Sequence, residues 1–212
     1  FERGMMTGDC STVWEEHVSY FSAPVLAWML EQKGFTAIEM DWYDFSSGAL
    51  CVLARRRLPS DDIGNSDSHR ITEIVELARD YSDKLSAYRE DLVSRLARTR
   101  ENGAEVALYG VGVRGCCAVN GLNLADYIDV AIDDQPERQG LFMPGSRLPI
   151  KSIDALTETD RPLVVLLAVN NENDAKVADK LSAHLSRPIS FVSLCSPADV
   201  RDALHALKAE TD

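Results

Sequence analysis

Glu16 and His17 stand side by side in the stretch Trp14-Glu15-Glu16-His17-Val18-Ser19-Tyr20-Phe21-Ser22, with Tyr20 one helical turn further on. An imidazole titrates near neutral pH, so His17 suits general-base work. Glu16 can orient a substrate or the imidazole; because adjacent residues do not share a helix face, the alternative is that it binds a substrate hydroxyl. At a spacing of three to four residues, Tyr20 can line the same pocket. Read from the residues alone, the favoured reading is a partly exposed acidic-aromatic stretch that opens a helix, with Ser22 as N-cap. His69, His184 and His205 sit in helical contexts without partners. No Ser-His-Asp arrangement and no His/Cys cluster with metal spacing is present, so no metal is expected.

A second constellation is the turn Tyr109-Gly110-Val111-Gly112-Val113-Arg114-Gly115, which follows the strand-like Val106-Ala107-Leu108. The spacing Gly110-x-Gly112-x-x-Gly115 allows a tight turn, close approach of backbone to ligand, and close packing of helix on strand. The helix that follows offers free N–H groups to an anion, and Arg114 adds charge. Asp133 lies about 20 residues beyond the turn, where such folds place an acid that binds ribose hydroxyls. Gly110, Gly112, Arg114, Gly115 and Asp133 are therefore candidate substrate-binding residues. The alternative is a packing turn with no ligand.

The elements that must position these groups fall into three regions. Pro24–Lys33 has helical apolar spacing and ends at Gly34. Phe35–Phe45 and Ala49–Ala54 flank the turn signal Ser46-Ser47-Gly48 and form an expected antiparallel pair. Arg55-Arg56-Arg57 reads as a solvated strand end. Leu58–Ser68 is a polar linker, and His69–Glu101 is one long helix. Its stripe of Ile71, Ile74, Ala78, Tyr81, Leu85, Tyr88, Leu92 and Leu96 either bridges two domains or pairs with a second copy; the bridge is favoured. From there strands alternate with helices. Strands are expected at Val106–Tyr109, Tyr127–Ile132, Leu163–Val169 and Ile189–Leu194, and helices at Arg114–Asn120, Asn173–Leu185 and Pro197–Lys208. That order implies a parallel sheet. The expected domains are 1–57, a linker and helix over 58–101, and a Rossmann-like α/β domain over 102–212.

Composition narrows the function. The 212 residues carry a formal net charge of -12, which argues against nucleic acid or an anionic membrane as partner. No apolar run reaches membrane-span length, and no signal peptide is recognisable. Five scattered cysteines fit a reducing, cytoplasmic setting. Adjacent Cys116 and Cys117 read as small helix-face residues.

Several segments together carry a resemblance. The Gly110 turn, then Asp133-x-x-Pro136-x-Arg138-Gln139-Gly140, then Pro144-Gly145-Ser146-x-x-Pro149-Ile150 resemble the C-terminal domain of S-adenosylmethionine-dependent C-methyltransferases of nucleotide-sugar pathways. Asn170 resembles a family Asn, and Trp14–Ser22 resembles the family's Tyr-x-Glu-His-x-x-Tyr-Phe segment. The Phe35–Ala54 hairpin looks like the last two strands of a class I methyltransferase sheet. The resemblance implies His17 as base, Glu16 and Tyr20 beside it, Asn170 as a further substrate contact, S-adenosylmethionine as methyl donor and a nucleotide-linked sugar as substrate. It also implies that the Gly110 turn is not the donor site. Two departures stand out: Trp14 replaces the family Tyr, and neither the family's zinc-binding cysteine cluster nor its donor domain precedes Phe1. The isolated chain is therefore expected to be inert, with a missing N-terminal half or a second copy as partner. The other class of reading is a nucleotide or nucleotide-sugar binding module with no catalysis of its own.

Overall fold

The computed structural model describes residues 1–11, 13, 14, 16–43, 48–61, 68–195 and 198–207, with backbone alone at 68–71. Helix α1 (Glu2–Thr7) was not foreseen in the sequence. Helix α2 (Ala23–Gln32) follows Ser22 in the N-cap position, and Gly34 after it has φ 78°, as a glycine stop requires. The Ser22 hydroxyl is buried and makes no capping bond. Strands β1 (Phe35–Tyr43) and β2 (Ala49–Arg56) pair antiparallel as expected. Ser46 and Ser47 of the turn signal lie outside the described residues.

The basic run is not simply solvated. Arg55 donates to both carboxylate oxygens of Asp61 at 2.6 Å, and Arg57 donates to the carbonyl of Glu31. These bonds tie the hairpin to the following segment and to α2.

Helix α3 (Ser68–Glu101) spans 34 residues, roughly 50 Å at 1.5 Å per residue. Its stripe is used unevenly. Tyr88, Leu92 and Leu96 are fully buried; each leucine contributes about 1.5–3 kcal/mol, while the Tyr88 hydroxyl is buried without a hydrogen-bond partner, which offsets part of the gain from its ring. Ala78 is exposed. Tyr81 donates to the Asp9 carbonyl at 3.1 Å and Arg89 donates to the Leu122 carbonyl at 3.1 Å. The helix thus joins the N-terminal segment to the α/β part of the chain.

That part is α/β. Strands β3 (Glu105–Tyr109), β4 (Val130–Ile132), β5 (Ile150–Lys151), β6 (Leu163–Leu167) and β7 (Ile189–Ser193) form one parallel sheet in the order β5-β4-β3-β6-β7. Helix α4 (Val113–Gly121) follows β3, and α5 (Asp174–His184) follows β6. All five residues of β3 are buried, and alternation divides them. Val106 and Leu108 pack with α3 and α4 on one face; Ala107 and Tyr109 pack with α5 on the other. This is a three-layer, Rossmann-like arrangement.

Two expected elements differ. Only Val130–Ile132 of Tyr127–Ile132 is strand, because Ala125–Tyr127 closes a 3-10 turn off α4 and Asp129 holds the Val106 N–H through its carboxylate. The helix expected over Pro197–Lys208 is only a 3-10 turn at Asp202–Ala206, with Leu204 and Leu207 plugging the core; Pro197 and Lys208 lie outside the described residues.

Candidate functional site

Residues 14 and 16–20 are not helical, so Tyr20 does not reach Glu16 and His17 by helical spacing. A local clip does the work instead. The Trp14 N–H donates to the Tyr20 hydroxyl at 3.1 Å, which in turn donates to the Trp14 carbonyl at 3.3 Å. The His17 N–H bonds the same carbonyl at 3.0 Å. Inside this loop the His17 ring lies 3.9 Å from the Trp14 ring at 32°, and 5.9 Å from the Tyr20 ring at 77°. The imidazole is exposed but flanked by two aromatic rings. The Trp14 indole nitrogen is buried and bonds no acceptor. Glu16 is exposed and lines none of the cavities described below.

The glycine turn is mostly architecture. Gly110 has φ 101°, and a Cβ there would meet the Ala168 carbonyl oxygen at 2.9 Å. A Cβ on Gly115 would meet the Gly110 carbonyl oxygen at 2.2 Å. Those two glycines let α4 sit against β3 and β6. Gly112 differs: it is the N-cap of α4, and the nearest atom to a Cβ there is an Arg138 nitrogen at 4.0 Å.

Asp133 is only 6% exposed. Its carboxylate accepts from the Val111 N–H at 2.9 Å, the Gln135 N–H at 2.9 Å and the Arg138 guanidinium at 3.0 Å. Three of the carboxylate's roughly four lone-pair positions are therefore engaged by the turn and by Arg138. Asp133 holds the turn together while also bordering the second cavity described below.

Arg114 is buried, and its Nη1 donates to the Ser11 hydroxyl at 2.8 Å. The Ser11 N–H in turn donates to Asp9 at 2.7 Å. Burial pushes the Asp9 carboxyl above its ordinary value, opposed by Ser11 and by the charge of Arg114. The physical consequence is an anchor: Arg114, at the start of α4, pins the segment that leads into Trp14 and His17. Beside it, burial pushes the Cys10 thiol up to about 12 and the Cys195 thiol up to about 11, so neither is a ready nucleophile.

The anchor brings the two constellations to one place. A cleft of about 910 Å³ is lined by Trp14, His17 and Tyr20 on one side, Gly112 and Val113 on another, and Arg138 and Phe142 opposite. A second cavity of about 500 Å³ shares Trp14, Gly112, Val113 and Arg138 with it and continues to Gly110, Arg114, Asp133 and Asn170. It lies outside the C-terminal ends of β3 and β6, where strand order reverses and open α/β sheets hold ligands. A third cavity, about 420 Å³, lies on the far side of Trp14, His17 and Tyr20, toward Trp42 and Arg114.

Two residues that shape the site lie outside the sequence candidates. Arg138 lines both main cavities from the loop five residues beyond Asp133. Asn120 donates to the Pro144 carbonyl at 3.0 Å, and a Cβ on Gly145 would collide with it. This clamp holds the Phe142 wall of the cleft onto α4. The segments Arg138-Gln139-Gly140 and Pro144-Gly145-Ser146 carried the only signal for either.

Residues 62–194, more than half the chain, match the family model described as the C-methyltransferase C-terminal domain. The chain belongs to this family. It is also similar to the C-methyltransferase NovU of Streptomyces niveus, 25% identical over 167 residues, covering 75% of this chain and 40% of NovU. It therefore spans less than half the length of that relative. The C-methyltransferase C-terminal domain match takes in the glycine turn, Asp133, Arg138 and Asn170, and leaves Trp14–Ser22 outside it. Among the described residues no helix is long and apolar enough to cross a membrane, and no group of His, Cys, Asp and Glu is arranged to hold a metal.

Proposed function

We propose that the chain is the C-terminal part of a methyltransferase that transfers a methyl group from S-adenosylmethionine to a carbon of a sugar or related carbonyl substrate, carried on a nucleotide. The observation that carries this reading is the shared cleft, in which the imidazole of His17 and the α4 N-terminus at Gly112 face one volume. Carbon methylation requires loss of a proton next to a carbonyl, and His17 is the base for it. S-adenosylmethionine, when bound, supplies the electrophilic methyl group. Arg138 and the N-terminus of α4 suit a phosphate. Val111, Val113, Phe142 and Ile150 give the same cleft an apolar wall for a ring. Tyr20 keeps the His17 loop closed, and Asn170 borders the polar cavity. Glu16, facing solvent in this chain, binds substrate or orients the imidazole only once the rest of the enzyme is in place.

The α2–β1–β2 unit supports a larger whole. Trp28, Ile38, Tyr43 and Leu53 are all exposed on it, an apolar excess that suits a missing N-terminal half better than water.

In the full-length enzyme, His17→Ala should abolish methyl transfer while donor binding survives. Unchanged turnover removes the base assignment. Methyl transfer by the 212 residues alone would remove the need for a separate donor-binding part. A second reading, a nucleotide-binding module without catalysis, is favoured by the cavity at the β3/β6 reversal. Calorimetric titration of the chain with NAD, a nucleotide-sugar and S-adenosylmethionine separates the two: tight NAD binding favours the module.

A further inference from the structure

We propose that Trp14 is the positioning residue of His17: its indole face fixes the plane of the imidazole so that the ring edge points into the 910 Å³ cleft. The proposal rests on the reading of His17 as the base.

An exposed imidazole on a non-helical loop has several staggered rotamers open to it. Here one arrangement is selected. The Trp14 ring stacks on one face at 3.9 Å, and the Tyr20 ring stands edgewise at 5.9 Å and 77°. Both rings are locked to each other, because the Tyr20 hydroxyl exchanges two hydrogen bonds with the Trp14 backbone. Trp14 borders all three cavities, so its ring forms the partition against which His17 rests.

The polar atom of Trp14 does not explain the residue. Its indole N–H is buried without an acceptor, and an unmet buried donor is unfavourable. What the side chain supplies is a flat face. The Tyr that the family resemblance places here would offer a face of the same kind, so the departure at this position keeps the stacking while dropping the phenol.

The test uses Trp14→Phe, which keeps a ring and removes the N–H, and Trp14→Leu, which keeps bulk and removes the ring. By NMR on the 212-residue chain, the His17 ring protons should be displaced upfield by stacking in the parent and in Trp14→Phe, and should return to the position of a free imidazole in Trp14→Leu. The methyl resonances of Leu92 and Leu96 report that each variant is folded. In the full-length enzyme, Trp14→Leu should lower kcat on the order of 10²-fold, the scale of a base misplaced by about an ångström. KM and donor binding should hold, and Trp14→Phe should recover most of the rate. Unmoved His17 resonances in Trp14→Leu would overturn the proposal. So would a Trp14→Phe enzyme as slow as Trp14→Leu, which would make the N–H the working part. Full turnover in His17→Ala would remove the reaction that positioning serves, and the proposal with it; the NMR shift distinguishes that failure from a misplaced ring.

Discussion

Gly112 and Gly115 belong to one motif, yet the geometry assigns them different work, and alanine at each position separates the two. A Cβ at Gly115 would lie 2.2 Å from the Gly110 carbonyl oxygen, with the Ala168 Cβ at 3.4 Å. Comfortable contact is near about 3.5 Å, so α4 must retreat by more than an ångström from β3. Overpacking of this kind costs about 1–3 kcal/mol, and a backbone obstacle puts Gly115→Ala at the upper end, about 3. Alanine's better helix propensity returns about 1, leaving a net loss near 2 kcal/mol. At Gly112 the backbone is extended, with φ -78° and ψ -173°, and nothing lies nearer than 4.0 Å. A poorer N-cap and a less flexible unfolded chain act in opposite directions, so Gly112→Ala should stay within about 0.5 kcal/mol of the parent. Urea unfolding followed by circular dichroism measures both. Equal destabilisation of the two variants, or a larger loss at Gly112, would refute the division of the turn into packing glycines and a cleft-facing one.

Two further outcomes rest on buried charge. Arg187 and Glu105 pair at 2.7 Å with side chains 4% and 8% exposed, and Arg187 also holds the Leu156 and Arg161 carbonyls. Arg187→Met should therefore destabilise the chain by about 3–5 kcal/mol in urea unfolding, because it strands a buried carboxylate. Burial pushes the Asp174 carboxyl up to about 6, against the pull of Ser193, and its Oδ1 is buried without a donor. A folded-state value above the unfolded one means that the folded protein binds this proton more tightly. The charged form is thus a cost at pH 7 that disappears as pH falls from about 6 toward 4. Asp174→Asn should raise stability by about 1 kcal/mol at pH 7.5, after allowance for solvent screening, and by almost nothing near pH 4. Equal effects at the two pH values would contradict this.

Much of the architecture was legible in the sequence because its signals are local. Helical periodicity with a glycine stop marked α2, alternating β and α segments gave the parallel sheet, and the apolar stripe gave α3. Elements with short or mixed signals were misjudged. Tyr127–Ile132 was apolar enough for a full strand, but a 3-10 turn and the Asp129 carboxylate claim its first half. Val200, Leu204 and Leu207 plug the core without a long helix.

The candidate site divides the same way. Residue type and spacing singled out the glycine turn and Asp133 as groups with chemistry to offer, and the resemblance to C-methyltransferases singled out His17 and Tyr20. Only the tertiary structure decided what each one does. Asp133 holds Val111 and Arg138, Arg114 is an anchor to Ser11, and Tyr20 is a clip on Trp14. The presence of His17 and Gly112 in one cleft depends on contacts between segments apart in sequence, Ser11 with Arg114 across 103 positions and Asn120 with Pro144 across 24. Sequence records which groups a chain owns, because propensity and periodicity act over a few residues. Which groups still have an unspent hydrogen bond or an open face depends on packing between distant segments, and no local pattern encodes that.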